Sequence, residues 1–224
     1  MSFINVAAAA IPVAILFTVR RLLFMDKKVK GIILKSLCFL LLVFNLIRYT
    51  YDSVTNTRIR IPIEFSAITY FVLPVIVLCK LNVFRSWAAY SGTLAGGCFF
   101  INAIVLGERI YGSHNAFSVI STFACHGILL FCGLVLISEK RFSKYTGWVI
   151  TLGLVYTAVR TFLLKEWFSG GSGIFICELI FAYIPTRLFG KNVIPFYYLL
   201  LFVLVIISFK LFFALNEKLT KEKP

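Results

Sequence analysis

The sequence predicts an all-α fold, a polytopic membrane bundle of seven transmembrane helices. Hydrophobic residues make up 60% of the 224 residues and the mean hydropathy is +0.94, whereas soluble domains are about 45 to 50% apolar. Seven stretches are long, apolar and almost free of charge: 3–19, 31–47, 61–79, 87–106, 117–137, 145–164 and 193–215. Each is close to the roughly 20 residues that cross a bilayer as a helix. Six spans is the alternative count.

The connections between these stretches are short, so consecutive helices are expected to be antiparallel neighbours in a single domain, residues 1–224. The first stretch has no cleavage site of the signal-peptide type and is expected to be retained as a span. The longest connection, 165–192, contains an apolar run at 174–184. That run is too short to span, so we expect an interfacial or re-entrant helix there.

Small residues and thiols lie within the predicted helices. Gly92 and Gly96 form a GxxxG motif in the fourth stretch, which lets a neighbouring helix approach closely and serves internal packing more often than dimerisation. The six cysteines contain no CxxC pair and are expected to be buried free thiols. The sequence therefore indicates no metal and no cofactor, and it leaves the oligomeric state open.

The distribution of basic residues along the chain predicts its orientation in the membrane. There are 23 Lys and Arg residues against 9 Asp and Glu, a net charge of +14, which in a soluble protein would suggest nucleic acid. With seven spans and an external N-terminus, 15 of the 23 basic residues fall in cytoplasmic segments and 8 fall outside. This is the positive-inside bias, so we expect the N-terminus outside, the C-terminus in the cytoplasm, membrane lipids as partners and no nucleic acid.

Polar residues inside the predicted spans concentrate in the half of the membrane nearer the outside. Charged groups at membrane depth are costly, and they usually face the bundle interior or a cavity. A polar cavity open to the outside would satisfy them together. The candidate site residues are Arg48, Glu64, Ser66, Tyr70, Asn102, His126, Tyr156 and Arg160.

His126 is the most informative of these residues, because a neutral imidazole deep in a span can act as a general base. The alternative is a histidine that hydrogen-bonds a neighbour purely for packing. Ser66 is a candidate nucleophile if His126 reaches it, although serines in helices usually bond their own backbone. Arg48 and Arg160 could hold a phosphate or carboxylate headgroup, or they could snorkel to the interface without a ligand.

Three segments together resemble the YwaF-like bacterial integral membrane proteins and the eukaryotic transmembrane acyltransferase related to them. The segment 61–66, Ile-Pro-Ile-Glu-Phe-Ser, resembles the family's Leu-Pro-Leu-His-Leu-Cys. The segment 90–96, Tyr-Ser-Gly-Thr-Leu-Ala-Gly, resembles its tyrosine- and glycine-rich fourth helix, and Cys125-His126-Gly127 falls where the family has Ser-His-Gly. The resemblance covers residues 60–135.

The resemblance implies a location in the bacterial plasma membrane and a role in lipid acyl transfer or ester hydrolysis. It places the nucleophile on Ser66 and the base on His126. In the function that we expect, Arg48 or Arg160 would position the headgroup. The chain departs from the family by Ser66 in place of cysteine and Glu64 in place of histidine, and a thiolate is easier to activate than a serine hydroxyl. A non-enzymatic binding module, such as the substrate-binding component of a small-molecule transporter, and a purely structural membrane protein are the alternatives.

Overall fold

The structure is a computed structural model that describes residues 3–55, 62, 64–112, 114–143, 145–164 and 190–221. In these ranges the chain forms seven α-helices and two short 3₁₀ turns, at Asn82–Phe84 and Lys191–Val193, and no strand. The helices are α1 (Phe3–Leu23), α2 (Lys27–Thr55), α3 (Phe65–Leu78), α4 (Arg85–Tyr111), α5 (Ala116–Glu139), α6 (Thr146–Leu164) and α7 (Ile194–Lys221). The predicted all-α class is confirmed for the described residues, and the seven helices follow the predicted order.

Five of the helices, α1, α2, α4, α5 and α7, are long and apolar enough to cross a membrane. The third helix, α3, is a shorter apolar helix of 14 residues, and α6 has 19 residues. The third helix begins at Phe65 instead of residue 61, because Pro62 lies outside it and Glu64 has an extended backbone (φ −59°, ψ 147°). The predicted helix near 174–184 lies outside the described residues.

The centre of the fold is the contact between α4 and α5, where glycines bring two backbones together. A side chain at Gly96 would place its Cβ 2.7 Å from the Leu130 nitrogen and 2.8 Å from the His126 oxygen. On the facing helix, a Cβ at Gly133 would lie 2.5 Å from the Thr93 nitrogen. Only hydrogen fits at these positions, so the GxxxG motif is used for packing inside the chain.

The contact between α2 and α5 repeats after seven residues on each helix. The side chains of Cys38 and Cys132, both fully buried, face one another across this contact. Seven residues further along α2, the Asn45 amide lies 3.7 Å from the sulfur of Cys125, which is seven residues earlier on α5. Seven residues complete about two helical turns, so each helix presents the same face at both contacts. The two helices are antiparallel, and a step forward along α2 therefore matches a step backward along α5.

Five cysteines lie in the described part of the chain, and all are free thiols. Burial is as predicted for Cys38, Cys125 and Cys132, but the prediction is wrong for Cys79 and Cys98, which are exposed. Cys79 follows the last residue of α3, and Cys98 is on the outward face of α4. The sixth cysteine, Cys177, lies outside the described residues.

Polar contacts tie several helices together at the end of the bundle where α5 and α7 finish. Arg85 forms an ion pair with Glu139, which joins the start of α4 to the end of α5. Asn216 of α7 is 1% exposed and donates to the carbonyls of Ile137 (2.6 Å) and Lys140 (2.9 Å). Its side-chain oxygen accepts from the Phe142 amide at 2.8 Å. These bonds satisfy backbone groups that the end of α5 leaves open.

Candidate functional site

The His126 ring lies in the interior of the helical core, on the face of α5 that meets α3 and α4. The residue is 7% exposed. The ring stacks on Phe99 of α4, with the centroids 3.8 Å apart and the planes inclined by 11°. The Tyr70 ring of α3 meets it edge-on, with the centroids 5.4 Å apart. The rings of Phe99 and Tyr70 therefore hold the imidazole in one orientation.

Hydrogen bonds fix the tautomer of this imidazole. Nδ1 lies 2.8 Å from the carbonyl oxygen of Thr122, one turn earlier on the same helix. A carbonyl oxygen can only accept, so Nδ1 carries the proton and Nε2 is the acceptor. The hydroxyl of Tyr70 lies 3.0 Å from Nδ1 and 3.1 Å from Nε2. Because Nδ1 carries the proton that the Thr122 carbonyl accepts, Nε2 is the nitrogen to which this hydroxyl can donate. The acceptor nitrogen is thus bonded to a side chain of α3, the helix that also carries Ser66.

The short third helix explains why Tyr70 reaches His126. Tyr70 is the sixth residue of α3, whereas His126 is the eleventh of α5. At about 1.5 Å per residue the two side chains are at different distances from the starts of their helices. They meet because α3 begins late, at Phe65, and its first turn is therefore deeper than that of α5.

Two charged groups lie within electrostatic range of this pair. Arg48 of α2 is close enough to interact electrostatically with Tyr70, Cys125 and His126. Glu64, which precedes α3, interacts in the same way with Tyr70 and with Tyr111 of α4. Side chains from four helices therefore converge on the end of the bundle where α3 and α5 begin. We name Arg48, Glu64, Tyr70 and His126 the His126 cluster.

Ser66 is near this cluster but is not a partner of the imidazole. It is half-buried on α3, four residues before Tyr70 and therefore on the same helix face, about 6 Å further toward the helix start. The hydrogen-bond partners of the His126 ring in the described structure are Tyr70 and the Thr122 carbonyl. For His126 to act as the base for Ser66, the Tyr70 hydroxyl would have to move away from Nε2.

The other predicted site residues lie outside the cluster. Arg160 of α6 donates a hydrogen bond to the carbonyl of Pro62, so it holds the segment that leads into α3. Tyr156, one turn earlier on α6, is 58% exposed. Asn102 is half-buried on α4. These three positions do not contact the imidazole, and their predicted part in substrate binding stays a prediction.

Sequence reasoning missed Phe99 and Thr122, which orient the ring. Thr122 could have been found, because a histidine in a helix has the carbonyl of the residue four positions earlier within reach. Phe99 follows Gly96 by three residues and lies on the same face of α4. Once Gly96 is known to contact the His126 backbone, Phe99 is the expected neighbour of the ring.

A separate cavity of about 500 Å³ lies between α1, α2 and α5. Apolar side chains line it, among them Ile11, Ile15, Leu37 and Phe123. The Phe123 ring is 5.2 Å from that of Phe99, which stacks on His126. Aromatic rings therefore lie between this cavity and the imidazole. Among the described residues, no three His, Cys, Asp or Glu side chains are grouped to hold a metal ion.

No family model matches the chain, and no curated protein and no solved structure matches it. The resemblance of three segments to the YwaF-like proteins therefore stays a prediction.

Proposed function

We propose that the chain is a polytopic integral membrane protein of the bacterial plasma membrane, with its N-terminus outside and its C-terminus in the cytoplasm. Five apolar helices of sufficient length support the membrane location. Antiparallel succession of seven helices puts the C-terminal end of α1, the start of α2 and the end of α7 on one side, where Arg20, Lys27 and Lys218 lie. The positive-inside bias supports the cytoplasm for that side.

Reporter fusions test the orientation. A phosphatase that is active only outside the cytoplasm, fused after α7, should be inactive, and a fusion in the segment after α2 should be active. The reverse pattern would contradict the proposed orientation and would leave the helix packing untouched.

For the biochemical role we propose lipid acyl transfer or ester hydrolysis with His126 as the general base. The observation that carries this proposal is the fixed tautomer. Nδ1–H is held by a carbonyl, and the acceptor Nε2 bonds to the Tyr70 hydroxyl of α3, one turn from Ser66. A base oriented by a third group toward a hydroxyl is the arrangement by which enzymes activate a serine.

The chemistry follows from that orientation. The Ser66 Oγ would attack the acyl carbonyl of a lipid ester while its proton passes to Nε2 of His126, and the tetrahedral intermediate would expel the lipid alcohol, which takes the proton back. A second lipid hydroxyl would then accept the acyl group in transfer, or water would accept it in hydrolysis. Arg48, within electrostatic range of the imidazole, would hold the phosphate of the headgroup.

Fluorophosphonate labelling tests this role. The purified chain should be modified at Ser66, and both Ser66→Ala and His126→Ala should remove the label. Tyr70→Phe removes the hydroxyl that occupies Nε2 and should leave labelling intact or increase it. Ser121→Ala, in the same helix as the base, is the matched control and should change nothing. A folded chain whose Ser66 remains unmodified would refute the serine mechanism.

A non-enzymatic binding or transport module is the second candidate, and one observation favours it. Both nitrogens of His126 already have partners and the ring is stacked on Phe99, as expected of a histidine used for packing. Co-purification with an energising ATPase pair would support this candidate. A purified chain that retains a stoichiometric phospholipid would support the lipid-processing role instead.

A further inference from the structure

The turn between α1 and α2 carries positive charge that the proposed chemistry does not use. Arg20 and Arg21 lie in the last turn of α1, and Lys27 and Lys28 begin α2; all four are exposed. The acidic residue of the turn, Asp26, accepts a hydrogen bond from the Lys28 amide at 3.2 Å. The turn is therefore strongly basic.

Three other cations at the same end of the bundle are already paired. Arg85 pairs with Glu139, while Arg141 (3.3 Å) and Lys221 (2.8 Å) both contact Glu217. In the part of the chain that the structure describes, none of the four exposed cations of the α1–α2 turn has a carboxylate within ion-pair distance. Their charge is available to an external anion.

Apolar side chains lie between the two basic pairs. Phe24 is 68% exposed and Met25 is 47% exposed. An apolar tip flanked by cations is the composition of segments that bind the interface of an anionic membrane, because the apolar part enters the acyl boundary while the cations meet the phosphates. A free phosphate ion would use the cations but would gain nothing from Phe24 and Met25.

Internal bonds fix the shape of the turn. The Lys30 side chain is 9% exposed, and its Nζ donates to the carbonyl of Leu23 at 3.0 Å. This puts a cation at the C-terminal end of α1, where it satisfies a free carbonyl and interacts favourably with the helix dipole. The amide of Lys30 also bonds to the Asp26 carbonyl at 3.1 Å. The exposed cations therefore project from a preorganised turn, so less ordering is needed on binding.

We infer that residues 20–28 bind the headgroup phosphate of an anionic phospholipid. This inference rests on the proposed membrane location, but it concerns a site at the opposite end of the bundle from the His126 cluster and does not depend on the serine mechanism.

Lipid titration of the full chain tests the inference. The detergent-solubilised protein is titrated with phosphatidylglycerol or phosphatidylcholine, and bound lipid is counted by native mass spectrometry. Phosphatidylglycerol should bind more tightly. Lys27→Gln/Lys28→Gln should weaken its binding roughly 30-fold at low salt, since two interfacial cations are lost, and should leave phosphatidylcholine binding unchanged. Arg20→Gln/Arg21→Gln should act in the same direction and serves if the first variant does not fold.

The matched control is Arg141→Gln/Lys221→Gln, which removes the same charge at the same end of the bundle. It should affect phosphatidylglycerol binding far less, because both side chains already contact Glu217. Equal losses in both double variants, or no loss in the turn variants, would overturn the inference. Displacement of the lipid by sodium phosphate, but not by sodium chloride of equal ionic strength, would identify a free anion as the ligand and overturn the lipid assignment. A detergent micelle has no inside and outside, so an incorrect orientation would not affect these outcomes.

Discussion

Replacing Gly96 by alanine should separate the two central helices. The new Cβ would lie 2.6 Å from the Leu130 Cβ, whereas ordinary contact begins at 3.4 Å, so α4 and α5 must move apart by about 0.8 Å. Two of the obstructing atoms belong to the α5 backbone, at Leu130 and His126, and no rotamer change removes them. Overpacking of this kind costs about 1 to 3 kcal/mol.

The neighbouring Gly97 is the control, because a Cβ there meets nothing within 4 Å. Both substitutions add one methyl group, and alanine is the better helix former by about 1 kcal/mol, so any difference between the two variants reports the α4–α5 contact. Unfolding is followed with a thiol-reactive dye that labels the buried cysteines of α2 and α5, after Cys79, Cys98 and Cys177 have been changed to serine. For a difference of about 2 kcal/mol, Gly96→Ala should melt roughly 4 to 8 °C below Gly97→Ala. Equal melting temperatures would refute the close backbone contact.

Three further predictions concern packing. Asn216→Ala removes three hydrogen bonds at the end of α5 and should lower the free energy of unfolding by about 3 kcal/mol, measured in the same assay; a change below 1 kcal/mol would contradict the buried cap. Arg85→Glu and Glu139→Arg should each destabilise the chain, and the double swap should restore most of a loss of about 1 kcal/mol; additive losses in a double-mutant cycle would show that the pair does not interact. Gly153→Ala, whose Cβ would strike the Trp87 ring, should lower the melting temperature more than Gly147→Ala, where the nearest atom is 3.9 Å away; the opposite order would contradict the α4–α6 contact.

The helices were predictable because their signal is local. Long apolar stretches gave the number and order of the seven helices, and the GxxxG spacing identified a close helix contact. The start of α3 was not predictable from hydropathy. Apolar residues continue through 61–63, yet Pro62 has no amide proton and Glu64 is extended, so the helix begins at Phe65.

The site was predictable only in part, because it depends on helix rotation and depth. Arg48, Glu64, Tyr70 and His126 were all candidates from their polarity at membrane depth, and the structure brings them together. That Tyr70, one turn deeper than Ser66, would occupy Nε2 depends on the late start of α3. The tautomer depends on the Thr122 carbonyl, which the helix places within reach of His126, but the rotation of the ring toward that carbonyl depends on packing against Phe99.

The matched seven-residue steps of α2 and α5 restrict changes in chain length more than changes in residue type. A helix turns by about 100° per residue. One residue inserted between Cys38 and Asn45 would keep the first contact with α5 and rotate the second away, carrying a buried amide out of the contact. Substitutions that preserve size and polarity would leave both contacts in place. Homologous chains should therefore tolerate sequence variation across this stretch while keeping its number of residues constant.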